Sequence, residues 1–402
     1  MNLTLPAETK RTLKLAAAVP TGEDAVQLTW SDGTATVMAN RVLRYACSCA
    51  LCGDTDRGLR IAKLPDLPQR PKIARLGLDA AGNLAIAWAD GHETVLDPAR
   101  LHAERPGFST GRHASRSLWN AESASRLIPE IAVDDALAPD DRGLFRALQA
   151  LRDVGLVILR GGAPTAEETE RVTARFGSVR ETDYGRFFEL KSEPDPQVAG
   201  ATSRAQTPHT DEPFRYAPPG IFFLHCLEAG ADKEGASIFV DGFAAAERLR
   251  QESPESFRLL STQPMNFHRR HAGTVDLRCR ARVFSLDDDG EVVGVRYNDR
   301  ATGAFDQALD GVDAMMDAAA EFMRIVYDPA MTLTVMLQPG DVAICDNHRA
   351  MHGRRAFDPN RKFRHLRSCH IDRDQVHSRL RVLATEFAPE EAGLALPAGA
   401  SV

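Results

Sequence analysis

Alternating apolar and polar positions dominate the first hundred residues. Val26-Gln27-Leu28-Thr29-Trp30 alternates, Ser31-Asp32-Gly33-Thr34 turns, and Ala35-Thr36-Val37 resumes, which predicts a hairpin. Leu84-Ala85-Ile86-Ala87-Trp88, Ala89-Asp90-Gly91-His92 and Glu93-Thr94-Val95-Leu96 repeat the pattern. TWSDGTATV and AWADGHETV read as an internal echo, although a WxDG hairpin is also a common turn solution. A small β-rich domain is therefore expected over residues 1–104. Residues 105–125 are polar and poor in large apolar side chains, and read as a linker.

The pattern changes downstream. Helical spacing is found over 140–152, with Leu144, Leu148 and Leu151 on one face, and again over 166–176. Residues 154–159 form a continuous apolar run, as a buried strand would. Short β-like runs follow at 220–226, 236–240, 292–297 and 332–337, interrupted by helical stretches at 241–261 and 310–327. Strands and helices do not alternate regularly, and neither GxGxxG nor GxxxxGK[ST] occurs, so a Rossmann or P-loop fold is disfavoured. The expectation for 126–402 is an α+β domain that is mainly β: a sandwich or jelly-roll barrel decorated by helices.

The charge balance narrows the function. The 49 basic and 56 acidic residues give a net charge of −7, which argues against a nucleic-acid binder. No run approaches the length of a membrane span, and MNLTLPAETKRTLK lacks the apolar stretch of a secretory signal. Seven cysteines, three of them within six residues, fit a reducing cytoplasm with one metal cluster better than a disulfide scaffold.

Two constellations carry chemistry. Cys47, Cys49 and Cys52 can face one ion, and thiolates suit zinc or an iron–sulfur cluster. His92, at the tip of the second hairpin, is the best fourth ligand for a closed structural zinc site, and His102 is the alternative. The second constellation is His209-Thr210-Asp211, whose imidazole and carboxylate point to the same side of an extended segment. His370-Ile371-Asp372 shows that such a pair alone decides little. What distinguishes the first pair is the downstream DNHRAMHGRR at 346–355, where His352 can close a 2-His-1-carboxylate triad with open positions on Fe(II). Arg364, twelve residues beyond His352, offers a fork for a carboxylate.

With these motifs assembled, the sequence resembles the γ-butyrobetaine and trimethyllysine dioxygenase group of the taurine dioxygenase-like Fe(II)/2-oxoglutarate oxygenases. Leu43-Arg44 with CxCxxC and WADGH at 88–92 match its zinc domain. HTD at 209–211, PPGIFFLHCL at 218–227, VDGF at 240–243, RYN at 296–298, GDV at 340–342, DNHRAMHGRR and RHLR at 364–367 match its catalytic domain in order. The resemblance implies a double-stranded β-helix with Fe(II) held by His209, Asp211 and His352, and structural Zn(II) held by Cys47, Cys49, Cys52 and His92. It implies 2-oxoglutarate as co-substrate, with its distal carboxylate on Arg364 and Leu224 packed against it. O2 and a small-molecule substrate complete the reaction, which releases succinate and CO2. A homodimer is also expected, because family members often form one.

The resemblance further implies a cation–π cage for a trimethylammonium group. Tyr184 and Phe188 stand at two cage positions and His370 at a third, while Ala201 occupies the place of another aromatic. Asn298 keeps one amide contact to the substrate's anionic end, and Val198 stands where a second would be. Arg186, Arg215 and Arg278 are candidate anion contacts. The expected activity is hydroxylation of a small quaternary-ammonium acid such as γ-butyrobetaine or a trimethylammonium phosphonate. The alternatives are a related dioxygenase acting on trimethyllysine or another small carboxylate or amino acid, and an inactive zinc-stapled binding protein.

Overall fold

The protein is described by a computed structural model covering residues 14–54, 59–103, 116–191, 204–229, 235–271, 273–356, 365–388 and 391. These divide into two compact units, one from the described residues before 104 and one from those after 115.

The first unit repeats one design. Strands β1 (Leu15–Thr21), β2 (Ala25–Trp30) and β3 (Ala35–Ala39) form an antiparallel meander, followed by helix α1 (Asn40–Tyr45). Strands β4 (Ile73–Leu78), β5 (Leu84–Trp88) and β6 (Glu93–Leu96) form a second, followed by α2 (Pro98–Ala103). The echo extends to single bonds. Trp30 Nε1 donates to Thr36 Oγ1 at 3.1 Å, and Trp88 Nε1 donates to Thr94 Oγ1 at 2.8 Å. Alternation sends Val26, Leu28 and Trp30 inward from one meander and Leu84, Ile86 and Trp88 from the other, and they share one core.

The linker expected over 105–125 is shorter than its composition suggests. Residues 104–115 lie outside the described residues, but the chain is already packed by Ser117. Trp119 is fully buried; its indole donates to Val154 O at 2.8 Å and its backbone N–H to Asp241 Oδ2 at 3.1 Å. One large ring anchors a segment that is otherwise polar.

The second unit is a double-stranded β-helix. Its larger sheet has the order β9-β18-β11-β16-β8-β7, formed by β7 (Glu130–Ala132), β8 (Leu156–Arg160), β9 (Phe188–Lys191), β11 (Ile221–Glu228), β16 (Val342–Asp346) and β18 (His365–Ile371). Its smaller sheet has the order β10-β17-β12-β15, formed by β10 (Gln206–His209), β12 (Ser237–Asp241), β15 (Leu333–Val335) and β17 (Ala350–Arg354). Helices α3 (Arg142–Asp153), α4 (Ala166–Phe176) and α8 (Arg373–Phe387) bury Leu144, Leu148, Phe176 and Leu380 in the core of the larger sheet. Helices α5 (Gly242–Glu252), α6 (Pro254–Thr262) and α7 (Leu309–Val326) build a second core around Phe243, Phe257 and Phe322. A hairpin of β13 (Met265–His271) and β14 (Val275–Ala281) was not predicted: the run His268-Arg269-Arg270-His271 puts basic residues on both faces of β13 and hides its alternation, although β14 alternates regularly.

A buried ion pair locks this unit. The Arg349 guanidinium grips both oxygens of Asp241 at 2.9 and 3.1 Å, and its other N–H groups reach Asp153 O and Ser117 O. Gly155 has φ +73°, and a Cβ there would lie 2.8 Å from Arg349 Cδ, so both its conformation and its neighbour require glycine.

Two core histidines make this unit acid-sensitive. Burial pushes His225 and His348 down to about 4. A folded pKa below the unfolded one gives stability that is complete above about pH 6.5 and is lost as pH falls toward and through 4. Each contributes on the order of 3 kcal/mol over that window. The urea midpoint should therefore drop steeply between pH 7.5 and 5, and a flat midpoint would exclude neutral burial of these rings.

Candidate active site

Strand register assembles the chemistry. His209 on β10 lies directly opposite His352 on β17, so the two imidazoles share a face. Asp211 follows two residues on. His209 Nε2 is 3.5 Å from Asp211 Oδ1, and His352 Nε2 is 3.5 Å from Asp211 Oδ2. The three ligand atoms lie within 4.8 Å of one another. His209 Nδ1 is 2.8 Å from Thr207 O. A carbonyl only accepts, so Nδ1 carries the proton and Nε2 keeps its lone pair for a cation. Burial pushes His352 down to about 3, which keeps it neutral. Burial opposes ionisation of Asp211, but the surrounding imidazoles, with the hydrogen bond from His370 at 3.0 Å, hold its carboxyl well below the usual range. Two neutral imidazoles and one carboxylate suit a borderline divalent metal.

Two supporting roles were not read from the sequence. The Asn347 carboxamide clamps the backbone of the ligand loop: its Oδ1 accepts from Asp211 N at 2.6 Å, and its Nδ2 donates to Asp211 O at 3.1 Å and Pro219 O at 3.0 Å. His370 lies on β18 with Nε2 3.0 Å from Asp211 Oδ2, so it orients the carboxylate. The loop also holds Glu212 at φ +50°, a left-handed conformation away from glycine, directly after Asp211. The only sequence signal for Asn347 was its place inside DNHRAMHGRR.

The first unit brings Cys47, Cys49, Cys52 and His92 together. His92 Nε2 lies 3.3, 3.7 and 3.6 Å from the three sulfurs in that order. The WADGH turn presents the ring: Gly91 takes φ +83°, and His92 N donates to Asp90 Oδ1 at 3.0 Å. His102 packs edge-on against Trp30 instead, at 4.9 Å. Three soft sulfurs and one imidazole fit a closed zinc site.

A cavity of about 530 Å³ opens on the His209-Asp211-His352 cluster. Tyr184, Phe188, Leu224, Asn298 and His370 all line it. Tyr184 and Phe188 have ring centroids 5.9 Å apart, and Phe188 stacks on His370 at 5.6 Å. Phe222 stacks on His352 at 4.4 Å. Arg364, Val198 and Ala201 lie outside the described residues. Of the candidate anion contacts, Arg215 is bound to Glu212 and Asp183, Arg278 to Asp276, and neither lines the cavity, nor does Arg186. The cavity's guanidinium groups are instead Arg269 and Arg270 of the unpredicted hairpin, with Arg300 and Arg354.

Comparison with known proteins agrees with this geometry. Residues 112–370 match the family model described as taurine catabolism dioxygenase TauD, TfdA family, and residues 8–99 match that described as γ-butyrobetaine hydroxylase-like, N-terminal. A γ-butyrobetaine dioxygenase of Pseudomonas sp. (strain AK-1) is 32% identical, covering 89% of this chain and 93% of its own. The human γ-butyrobetaine dioxygenase is 27% identical, covering 90% and 95%. The human mitochondrial trimethyllysine dioxygenase is 31% identical, covering 86% and 82%. The chain belongs to the TauD/TfdA dioxygenase family.

The dioxygenase is thus an Fe(II)- and 2-oxoglutarate-dependent enzyme with a structural zinc in its first unit. Iron and 2-oxoglutarate together supply activation of O2 for oxidising a C–H bond, with release of succinate and CO2. The chain supplies position. His209 and His352 present neutral nitrogens, and Asp211, steadied by His370 and Asn347, presents one fixed charge. Phe222, Phe188 and Leu224 give the cavity an apolar wall beside the metal cluster. Among the described residues no helix is long and apolar enough to cross a membrane.

Proposed function

We propose that this dioxygenase hydroxylates a small quaternary-ammonium acid, with γ-butyrobetaine and a trimethylammonium phosphonate as the first candidates. The observation that carries this is the Tyr184, Phe188 and His370 ring cluster, which opens on the same cavity as His209, Asp211 and His352. Aromatic faces attract a quaternary ammonium that cannot be hydrogen-bonded. The activities named for the relatives support the same substrate class. In this reading His209, Asp211 and His352 hold iron, Arg364 takes the distal carboxylate of 2-oxoglutarate, and Leu224 packs against the co-substrate. The zinc unit precedes position 104 and the dioxygenase unit begins by Ser117. The working form is a homodimer, and seven cysteines free of disulfides support a reducing, cytoplasmic setting.

The second reading is a related acid, trimethyllysine or another small carboxylate or amino acid, and one observation favours the part of it that lacks a quaternary ammonium. The Arg269 guanidinium lies 4.1 Å above the Tyr184 ring, so the protein's own cation covers one face of the cage. Succinate release over a panel of γ-butyrobetaine, trimethyllysine, a trimethylammonium phosphonate and plain amino acids separates the two. Tyr184→Ala should raise the KM of a cationic substrate about 2- to 30-fold, and Tyr184→Phe much less, since a cation–π contact contributes about 0.5–2 kcal/mol. An unchanged KM in both variants would remove the cage from the site.

A further inference from the structure

The turn after Tyr297 separates its charges. Asn298 Oδ1 accepts the backbone N–H of Arg300 at 3.1 Å. A backbone N–H can only donate, so the oxygen of the carboxamide faces it and the NH2 group is the end left for a ligand. Asp299 is drawn off by the Tyr327 hydroxyl, which donates to its carboxylate, and it does not line the cavity. Asn298 and Arg300 both do.

The carboxylates bordering the cavity have other partners. Glu212 is bound to Arg215 and Glu189 to His365, while Arg269 is held by Asp183 at 2.8 Å. Asp211 belongs to the metal cluster. Among the described residues Arg300 forms no ion pair. Its Nη2 lies 3.0 Å from His209 Nε2, the nitrogen that a metal must take. Metal binding therefore displaces the guanidinium from that contact and leaves its donors for a ligand in the same cavity.

We propose that Arg300 is a specificity-determining residue that reads the anionic end of the prime substrate, forming with the Asn298 amide a receptor for a carboxylate or phosphonate. The proposal rests on the reading of the substrate as a small acid. A planar fork beside an amide donor suits a two-oxygen anion better than a point charge would. It also replaces Arg186, Arg215 and Arg278 as the anion contact.

The test is calorimetric binding to the full-length protein loaded with Mn(II) in place of iron and with 2-oxoglutarate. The probes are γ-butyrobetaine, 3-trimethylammoniopropylphosphonate and 4-trimethylammoniobutanol, which keeps the cationic head and lacks the anion. Arg300→Gln should weaken both acids by roughly 30-fold and the alcohol by less than about twofold, since truncating a charge-assisted pair acts on the charged partner. Arg300→Lys, which keeps the charge and loses the fork, should fall between. Affinities for Mn(II) and 2-oxoglutarate should hold within about threefold. Equal losses for acids and alcohol would make Arg300 a structural residue, a loss confined to 2-oxoglutarate would assign it to the co-substrate, and unchanged affinities would remove it from the site; each overturns the proposal. If none of the three probes binds the unaltered protein, the quaternary-ammonium reading fails by itself. Butyrate and propylphosphonate then decide: Arg300-dependent binding sustains the receptor, and no binding overturns it.

Discussion

Replacing His209, Asp211 or His352 by alanine is expected to abolish turnover, by roughly a thousandfold or more, while the protein still folds. Each is a proposed iron ligand, and each loss removes one of only three protein donors from a site where 2-oxoglutarate and O2 need the remaining positions. A thousandfold corresponds to about 4 kcal/mol of lost transition-state stabilisation. The fold should survive because the core beneath the strands is independent of these three side chains: Phe223, Ile344 and Cys369 fill it from neighbouring strands. His370→Ala is the informative contrast. His370 touches the carboxylate at 3.0 Å and is absent from the ligand cluster. Its loss should weaken iron by about 10- to 100-fold, the usual effect of removing a residue that orients a ligand, and excess iron should restore turnover. Iron content after gel filtration and succinate release measure both. Stoichiometric iron in His209→Ala, or none in His370→Ala at saturating iron, would redraw the cluster.

What could be read from the sequence was what local chemistry decides. Alternation located the hairpins carrying Trp30 and Trp88, helical spacing located α3 and α4, and thiols at close spacing announced the zinc site. The choice of His92 over His102 also followed local chemistry, because a WADGH turn projects its last side chain, whereas His102 sits on a helix that packs against Trp30. What could not be read depends on pairing between distant segments. Asn347 reaches Asp211 across 136 residues, and His370 reaches it across 159. No periodicity encodes either contact. His370 was read as a cage position, which its stacking on Phe188 supports, but its grip on Asp211 follows from register: β18 lies beside β11, and His370 pairs with Phe222. The same limit hid the basic hairpin, where Arg269 and Arg270 resemble solvated surface until the fold turns them toward the cavity.

Removal of zinc should have its effect on the first unit. That unit's core rests on about a dozen apolar side chains, among them Val26, Leu28, Trp30, Leu84 and Trp88. A core this small is marginal without a staple. The four ligands join the segment after α1 to the turn between β5 and β6, so zinc ties the two meanders across more than forty residues. Structural zinc sites of this type contribute about 10–16 kcal/mol in binding free energy at neutral pH, more than such a core supplies. Arg44 adds to the site. It is buried, and its Nη1 lies 3.5 Å from Cys52 Sγ, where it offsets the net negative charge of three thiolates around a divalent ion. The expected result is one zinc per chain that resists chelators stripping iron, because the site is closed by four protein ligands. Cys49→Ala should lose that zinc and render the first unit sensitive to protease, while the second unit keeps its iron and its resistance. Metal content and the positions of the first cleavages measure the two units separately. A Cys49→Ala protein lacking zinc and yet cleaved no faster before residue 104 would show that the hydrophobic core alone holds the unit, and that the thiol cluster has some other purpose.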